Sequence, residues 1–369
     1  MSGDTPQLGE PFRVPVGSAL QTPLCDLFGV KFPIVQTGMG WVSGARLTSA
    51  TCEAGGLGIL ASATMTLPEL RTAIGKVKSR TSNPFGVNLL PNQADLLDRI
   101  EVMVAEGVKV ASFAGAPSPD VVARLNDAGL ATIVTVGAKR HAEKMVKIGV
   151  SALIAQGGEG GGHTGATPTS LLLPAVVDAT EGSGVPVLGA GGFYDGRGLV
   201  AALAYGAQGI AMGTRFLLTQ ESHVPDHVKD IYVGTPVTGT VVTSAIDGAP
   251  QRVIRTDMID SLEKTPAAVR FPAAARNALR FAKLSGTPLR ELVKSGLEMR
   301  KAQDLTWAQL ALAANAPMMT KAGVVDGKVE AGILPTGQVV GSIEELPSVA
   351  EVIARIVAEA EATLARLGA

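Results

Sequence analysis

Aromatic residues make up only 4% of this chain, cysteine occurs twice, and neither sign of charge prevails: 32 Lys and Arg stand against 33 Asp and Glu. Each scarcity closes off a class. Cys25 and Cys52 make no disulfide framework and no metal site by themselves. A formal net charge of -1 gives no overall pull toward nucleic acid or a membrane surface. No stretch approaches the roughly 18 uninterrupted apolar residues that a spanning helix needs. The N-terminus lacks a basic segment followed by an apolar run, so it does not read as a secretory signal. The expectation is a cytoplasmic chain that binds neither nucleic acid nor membrane. With few aromatics and 46% hydrophobic residues, the core must be Ala, Val, Leu and Ile. Such a core suits parallel strands buried on both faces and covered by Ala-rich helices.

What the chain has in abundance is glycine, densest between Ile154 and Gly165 (I-A-Q-G-G-E-G-G-G-H-T-G). The run follows a short apolar segment with the look of a buried parallel strand. Glycine at this density costs backbone entropy and adds nothing to a core, so something must approach the main chain here. It delivers one histidine, His163, immediately after a strand end, where α/β folds keep their ligands.

Apolar runs alternate with helical patterns on either side. The runs are Pro33–Gln36, Leu57–Ser62, Phe85–Leu90, Val108–Ala114, Ala131–Val136, Ala152–Gln156, Val185–Ala190 and Gly209–Thr214. Helical patterns between them include Gln93–Glu106, Pro119–Ala128, Lys139–Ile148, Leu171–Thr180 and Gly196–Tyr205. Eight strands with intervening helices count out an α/β fold of the (β/α)8 TIM-barrel type. A doubly wound sheet is the rival, but it carries a Gly-rich phosphate loop after its first strand, which this sequence lacks. The expected organisation is an extended arm over 1–20 and a barrel over 21–220 and 321–369. Between the barrel segments, 221–320 reads as a helical insertion over the mouth, with helices at Asp257–Lys264, Pro272–Leu284, Leu289–Lys301 and Trp307–Asn315. Ser348 to Leu367 reads as a closing amphipathic helix. That helix and the insertion are each candidates for a homodimer interface.

Two glycine clusters end the last two strands, Gly189-Ala-Gly-Gly192 and Met212-Gly-Thr-Arg-Phe216. Barrel loops after strands seven and eight commonly hold a phosphate through backbone N–H groups. Gln36-Thr-Gly-Met-Gly-Trp41 follows the first run, Asn88 sits late in the third, and Gln156 ends the sixth. Amides at strand ends suit a flat heterocycle with mixed donors and acceptors, such as a flavin; taken singly, Asn88 or Gln156 reads equally as a satisfied core amide.

Taken together and in order, Gln36-Thr-Gly-Met-Gly, Phe85-Gly-Val-Asn88, Gln156 to Gly165, Gly189 to Gly192 and Met212 to Arg215 resemble the nitronate monooxygenase (2-nitropropane dioxygenase) family of FMN-dependent barrels. The resemblance runs from about residue 22 to 345. It implies FMN contacts at Met39, Gly40, Asn88 and Gln156 and along Gly161 and Gly162. It implies a phosphate held near Gly191, Gly192, Gly213 and Thr214, and His163 as catalytic base. Where the nitronate enzymes usually read Glu-Ala-Gly-Gly-His, this chain reads Glu159-Gly-Gly-Gly-His163. That loop, with Val35 to Val42 and Leu60 to Thr66, is more similar to an actinobacterial subgroup acting on CoA thioesters of a bicyclic sterol remnant. The resemblance therefore implies an oxidoreductase that dehydrogenates or reduces the α,β-position of a CoA thioester; the alternative is oxidation of alkyl nitronates with O2.

Between Lys264 and Arg290 the chain carries Lys264, Arg270, Arg276, Arg280, Lys283 and Arg290 and no acid. Arg270, Arg276, Arg280 and Lys283 are candidate contacts for the phosphates of CoA, against a solvated face or a subunit interface. His223 and His227 have a metal-like spacing but no third ligand, so no metal is expected. Glu159 is a candidate for orienting the loop. An inosine-monophosphate-dehydrogenase-like barrel would place a cysteine on a late loop, whereas Cys25 and Cys52 fall early. A barrel holding FMN only as a structural ligand stays open.

Overall fold

Residues 20–266 and 315–368 are described by the computed structural model. Eight strands among them close into a parallel barrel: β1 (Ile34–Gln36), β2 (Leu57–Ala61), β3 (Gly86–Leu89), β4 (Val110–Phe113), β5 (Ala131–Val136), β6 (Ala152–Gln156), β8 (Val187–Ala190) and β9 (Gly209–Met212). β1 pairs with β9 as well as β2, so the wall has no edge. β7 (Gly162–His163) lies outside that wall. The alternation of apolar runs and helical patterns is thus realised as a (β/α)8 barrel.

Strand residues are buried on both faces because the wall separates two apolar layers. One cluster contains Val35, Leu57, Ile59, Val110, Ile133, Ile154 and Leu188, joined by Leu24, Cys25 and Phe28 from the short helix Pro23–Phe28. That helix precedes β1, so it plugs the N-terminal end and leaves the opposite end for loops. The larger cluster packs the helices against the outside.

Several runs are one or two residues shorter as strands than as apolar segments. Leu90, the last residue of its run, is exposed and belongs to the loop at the mouth. The helix expected from Gln93 begins at Leu96, after a turn in which the Leu96 N–H donates to Gln93 O.

The segment after β9, which reads as wholly helical, contains an antiparallel ladder. β10 (Thr240–Thr243) pairs with β11 (Gln251–Ile254), and β11 pairs in turn with β7. The β-branched run Thr240-Val-Val-Thr and the Asp247-Gly248 turn favour a hairpin over a helix. Helix Asp257–Lys264 follows, started by Thr256 accepting from the Ile259 N–H. Ile246, Val253, Ile259, Ala316, Met319 and Ile333 form a small second core that joins the hairpin, this helix, the helix Asn315–Val324 and the return near Ile333. The expected helices Pro272–Leu284 and Leu289–Lys301, the expected helix Trp307–Asn315 apart from Asn315, and the expected arm over 1–20 apart from Leu20 lie outside the described residues. No helix among the described residues is long and apolar enough to cross a membrane.

The C-terminal helix Val349–Leu367 is started by a capping box: Ser348 Oγ accepts from the Glu351 N–H, and Glu351 accepts from the Ser348 N–H. Val349, Val352, Ile353, Ile356 and Ala360 recur at helical spacing and are buried. This face packs on helix Gly196–Ala204, where the Gly196 N–H donates to Glu359 at 2.8 Å. A Cβ on Gly196 would stand 2.4 Å from Ala360 N and Ile356 O. Both are backbone atoms of a long helix and cannot swing aside. Gly196→Ala is expected to destabilise the fold by about 1–3 kcal/mol, read as a lower midpoint in urea; an unchanged midpoint would refute the close packing.

Candidate active site

Because the eight strands are parallel, their C-terminal ends share one rim, and the loops leaving it meet in a fixed order. The loop after β1 packs against β3: a Cβ on Gly38 would lie 2.4 Å from Asn88 Cβ. It also approaches the loop after β9, since a Cβ on Gly213 would lie 3.4 Å from Met39 Sδ and Thr37 Oγ1. The loops after β6 and β8 touch where a Cβ on Gly191 would lie 3.1 Å from Gly157 O and Gly160 N. Gln156 reaches over its own loop, its amide nitrogen donating to His163 O at 2.8 Å. Met39, Asn88, Gln156, Gly161, Gly191, Gly213 and Thr214 therefore border one mouth. Gly40, Gly162 and Gly192 extend the same three loops.

Glycine loops have no side chains with which to hold themselves, and this one is held from outside. Arg252 Nε and Nη2 both donate to Gly158 O, at 3.2 and 2.9 Å, while Nη1 donates to Thr240 Oγ1 at 2.9 Å. Burial lowers the Arg252 pKa, and Glu159 opposes that shift. Glu159 accepts from the N–H and hydroxyl of Thr169 at 2.9 and 2.7 Å. Its carboxylate thereby caps the positive end of helix Thr169–Thr180. On the far side, Gln338 N–H donates to Glu159 O at 2.9 Å, and a Cβ on Gly161 would stand 2.4 Å from Thr336 C. Gly162, at φ 65°, turns the chain into β7.

β7 then pairs with β11, Gln251 opposite His163 and Arg252 opposite Gly162. The pairing brings His163 Nε2 within 2.7 Å of Asp247 Oδ2. The His163 side chain is 62% exposed and that of Asp247 only 5%, so an accessible imidazole is anchored on a buried carboxylate. Gln251 Nε2 donates to the same oxygen at 2.5 Å, and the Ala249 N–H to Oδ1 at 3.1 Å.

The glycine clusters after β8 and β9 lie side by side, since those strands are neighbours. Gly191 and Gly192 take φ of 90° and 85°, which side-chain-bearing residues avoid. Thr214 opens the short helix Thr214–Leu217, so its N–H has no intrahelical acceptor. Among the described residues, the amides of Gly191, Gly192, Gly213 and Thr214 donate to no other backbone group. The hydroxyl of Thr214 accepts from the Gly337 N–H at 2.9 Å. Four amide donors without internal acceptors suit an anion.

Sequence reasoning named the strand-end residues but missed Asp247, Gln251, Arg252 and Thr336. The Asp-Gly turn was the available signal for a hairpin, and nothing local says where that hairpin docks. Arg215, beside the Met212-Gly-Thr turn, is buried, and its Nη2 donates to Leu218 O and Glu345 O at 2.7 and 3.0 Å. His141 is exposed on helix Lys139–Lys147, and His227 Nε2 lies 3.3 Å from Gly327 O. No set of three or more His, Cys, Asp or Glu among the described residues is placed to hold a metal. Lys264 is exposed; Arg270, Arg276, Arg280, Lys283 and Arg290 lie outside the described residues.

A family model described as nitronate monooxygenase matches residues 21–102 and 96–359. The chain is 56% identical over 341 residues to the (3aS,4S,5R,7aS)-5-hydroxy-7a-methyl-1-oxo-octahydro-1H-indene-4-carboxyl-CoA dehydrogenase of Mycobacterium tuberculosis, covering 92% of this chain and 96% of that protein. It is 53% identical over 352 residues to the dehydrogenase of the same name from Rhodococcus jostii, covering 95% and 99%. Among solved structures it is similar to FabK from Thermotoga maritima, with a TM-score of 0.77 and 30% identity, covering 94% of this chain and 98% of that one.

Both cysteines are buried away from the mouth, Cys25 in the helix that plugs the barrel and Cys52 in helix Ala45–Glu53. Burial raises the Cys25 thiol pKa and pushes that of Cys52 up to about 12. The thiolate is the reactive form, so at pH 8 neither residue should react. Iodoacetamide is expected to leave the folded protein unlabelled and to modify both residues in urea. Rapid labelling of the native state would reopen cysteine chemistry.

Proposed function

We propose, from the premise that the chain belongs to the nitronate monooxygenase family, that it is a flavin-dependent oxidoreductase acting on the CoA thioester of a bicyclic, indane-type remnant of sterol rings C and D. The direction proposed is dehydrogenation at the α,β-position, with His163 as base. One observation carries the reaction type: an exposed imidazole at the strand-end rim, on the same mouth as four amide donors without internal acceptors. The substrate class follows from the identity to the two carboxyl-CoA dehydrogenases over nearly the whole chain.

The mouth fits a flavin mononucleotide. Gly191, Gly192, Gly213 and Thr214 would hold its phosphate. Met39, Gly40, Asn88 and Gln156 would border its ring, with Gly161 and Gly162 leaving room beside it. A flavin there supplies a two-electron acceptor for hydride.

The chain's own residues supply the proton chemistry. A C–H next to a thioester carbonyl is acidic, and an imidazole within reach is suited to remove its proton at neutral pH. Gln156 and the pairing of β7 with β11 hold the His163 backbone. The distance over which the imidazole must act is thus set by the fold. Glu159 and Arg252 spend their charges on loop geometry rather than on substrate. The basic run from Lys264 to Arg290, which includes Arg270, Arg276, Arg280 and Lys283, offers charge complementary to the phosphates of CoA. An alkyl nitronate would need no such charge, which favours the thioester over nitronate oxidation.

The test is an anaerobic titration of flavin-loaded protein with an indane carboxyl-CoA ester and, separately, with propyl-2-nitronate. Bleaching by the thioester alone is expected; bleaching by the nitronate alone would return the chain to nitronate oxidation. His163→Ala should keep its flavin and bleach about 10²–10⁴-fold more slowly. An unchanged rate in that variant would remove the base assignment.

A further inference from the structure

The segment of chain that carries Asp247 lies 84 residues beyond His163 and belongs to no barrel strand. We propose, resting on His163 as the base, that Asp247 is its positioning residue. It fixes the imidazole so that Nε2 keeps its hydrogen and Nδ1 takes the proton from substrate.

Three observations converge on this. First, Asp247 Oδ2 lies 2.7 Å from His163 Nε2, and a carboxylate oxygen only accepts, so the hydrogen sits on Nε2. A neutral imidazole has a single N–H, which leaves the lone pair on Nδ1. Second, the carboxylate is itself immobilised. Gln251 Nε2 and the Ala249 N–H occupy its two oxygens, and the residue is buried. Third, Gln251 is the residue paired with His163 across the β7–β11 ladder. The ladder that places the histidine backbone therefore also places the group that orients the carboxylate.

The burial asymmetry argues for a role in turnover rather than in holding the hairpin down. A staple between strands gains nothing from leaving one partner 62% exposed. A base must be exposed on the side that meets substrate and held on the other. Once Nδ1 has taken a proton, the bond from Nε2 to Asp247 becomes one between opposite charges and strengthens. Asp247 thereby favours the transition state over the resting enzyme. Its removal should lower kcat and leave KM nearly unchanged.

The experiment combines turnover with a reading of the imidazole itself. Asp247→Asn, flavin-loaded, is expected to lose about 10²-fold in kcat on the indane carboxyl-CoA ester. In a His163→Ala background the same change should cost less than about twofold, because residues acting as a unit are not additive. With ¹⁵N-labelled histidine in the unliganded protein, His163 should show one tautomer with hydrogen on Nε2, and Asp247→Asn should average the two. If Asp247→Asn does not fold, Gln251→Leu stands in, with a smaller kcat loss expected and the same partial averaging. Full kcat in a folded variant, a loss that multiplies on His163→Ala, or a wild-type His163 with hydrogen on Nδ1 would each overturn the proposal. A fully active His163→Ala enzyme would instead remove the base, and the proposal with it.

Discussion

A loop built of Gly157, Gly158, Gly160, Gly161 and Gly162 can approach a ligand closely because it has no side chains, and for the same reason it cannot hold its own shape. The order of the mouth depends on how this is resolved. Arg252 grips Gly158 O from the hairpin, Thr169 takes the carboxylate of Glu159, and Gln338 donates to Glu159 O. Each partner comes from a different part of the chain, so the loop is ordered only when the barrel, the hairpin and the return near Thr336 are all in place. Function is thereby tied to completion of the fold rather than to any local motif.

The charged groups divide by what they face. Glu159 and Arg252, both beside the glycine loop, satisfy a helix terminus and a carbonyl. Arg215 follows the glycine turn at Gly213 yet donates to carbonyls of Leu218 and Glu345, and burial lowers its pKa to about 10. Its charge supports the turn that carries Gly213 and Thr214 instead of meeting an anion directly. The amides of Gly191, Gly192, Gly213 and Thr214, by contrast, donate to no other backbone group among the described residues, and such amides hold their positions without the entropy that long side chains lose on ordering. His163 remains as an exposed titratable side chain on the glycine loop.

How much of this was legible in the sequence follows from the range of each interaction. A strand such as Val110–Phe113 is buried along its whole length, so it reads as an apolar run without knowledge of its neighbours. The strand-end residues Asn88, Gln156 and Gly191 become visible once the strands are counted, because parallel topology puts all such ends on one rim. Asp247 and Arg252 are different. They reach the site through an antiparallel ladder between segments 84 and 94 residues apart. No periodicity within Thr240–Ile254 encodes that docking, and short strands of four residues are easily absorbed into a helical reading of the surrounding segment. The barrel was therefore legible in the sequence, whereas the β10–β11–β7 ladder and the partners it brings to His163 were not.

Two described segments flank the basic run that begins at Lys264. One is the hairpin and helix Asp257–Lys264, attached to the glycine loop through β7. The other begins with helix Asn315–Val324, where Pro317 O accepts from Trp41 Nε1 at 3.1 Å. Trp41 is held at φ 67°, a conformation that costs a bulky residue about 1–3 kcal/mol. That cost is tolerable only where the surroundings fix the residue, and the bond to Pro317 is one such restraint. The loop after β1 and the loop after β6 are thus each tied to one end of the same segment, and the ends share a small apolar core through Ile246, Ile259, Ala316 and Met319. The described residues on either side of the basic run that Lys264 opens are therefore joined to each other as well as to the rim.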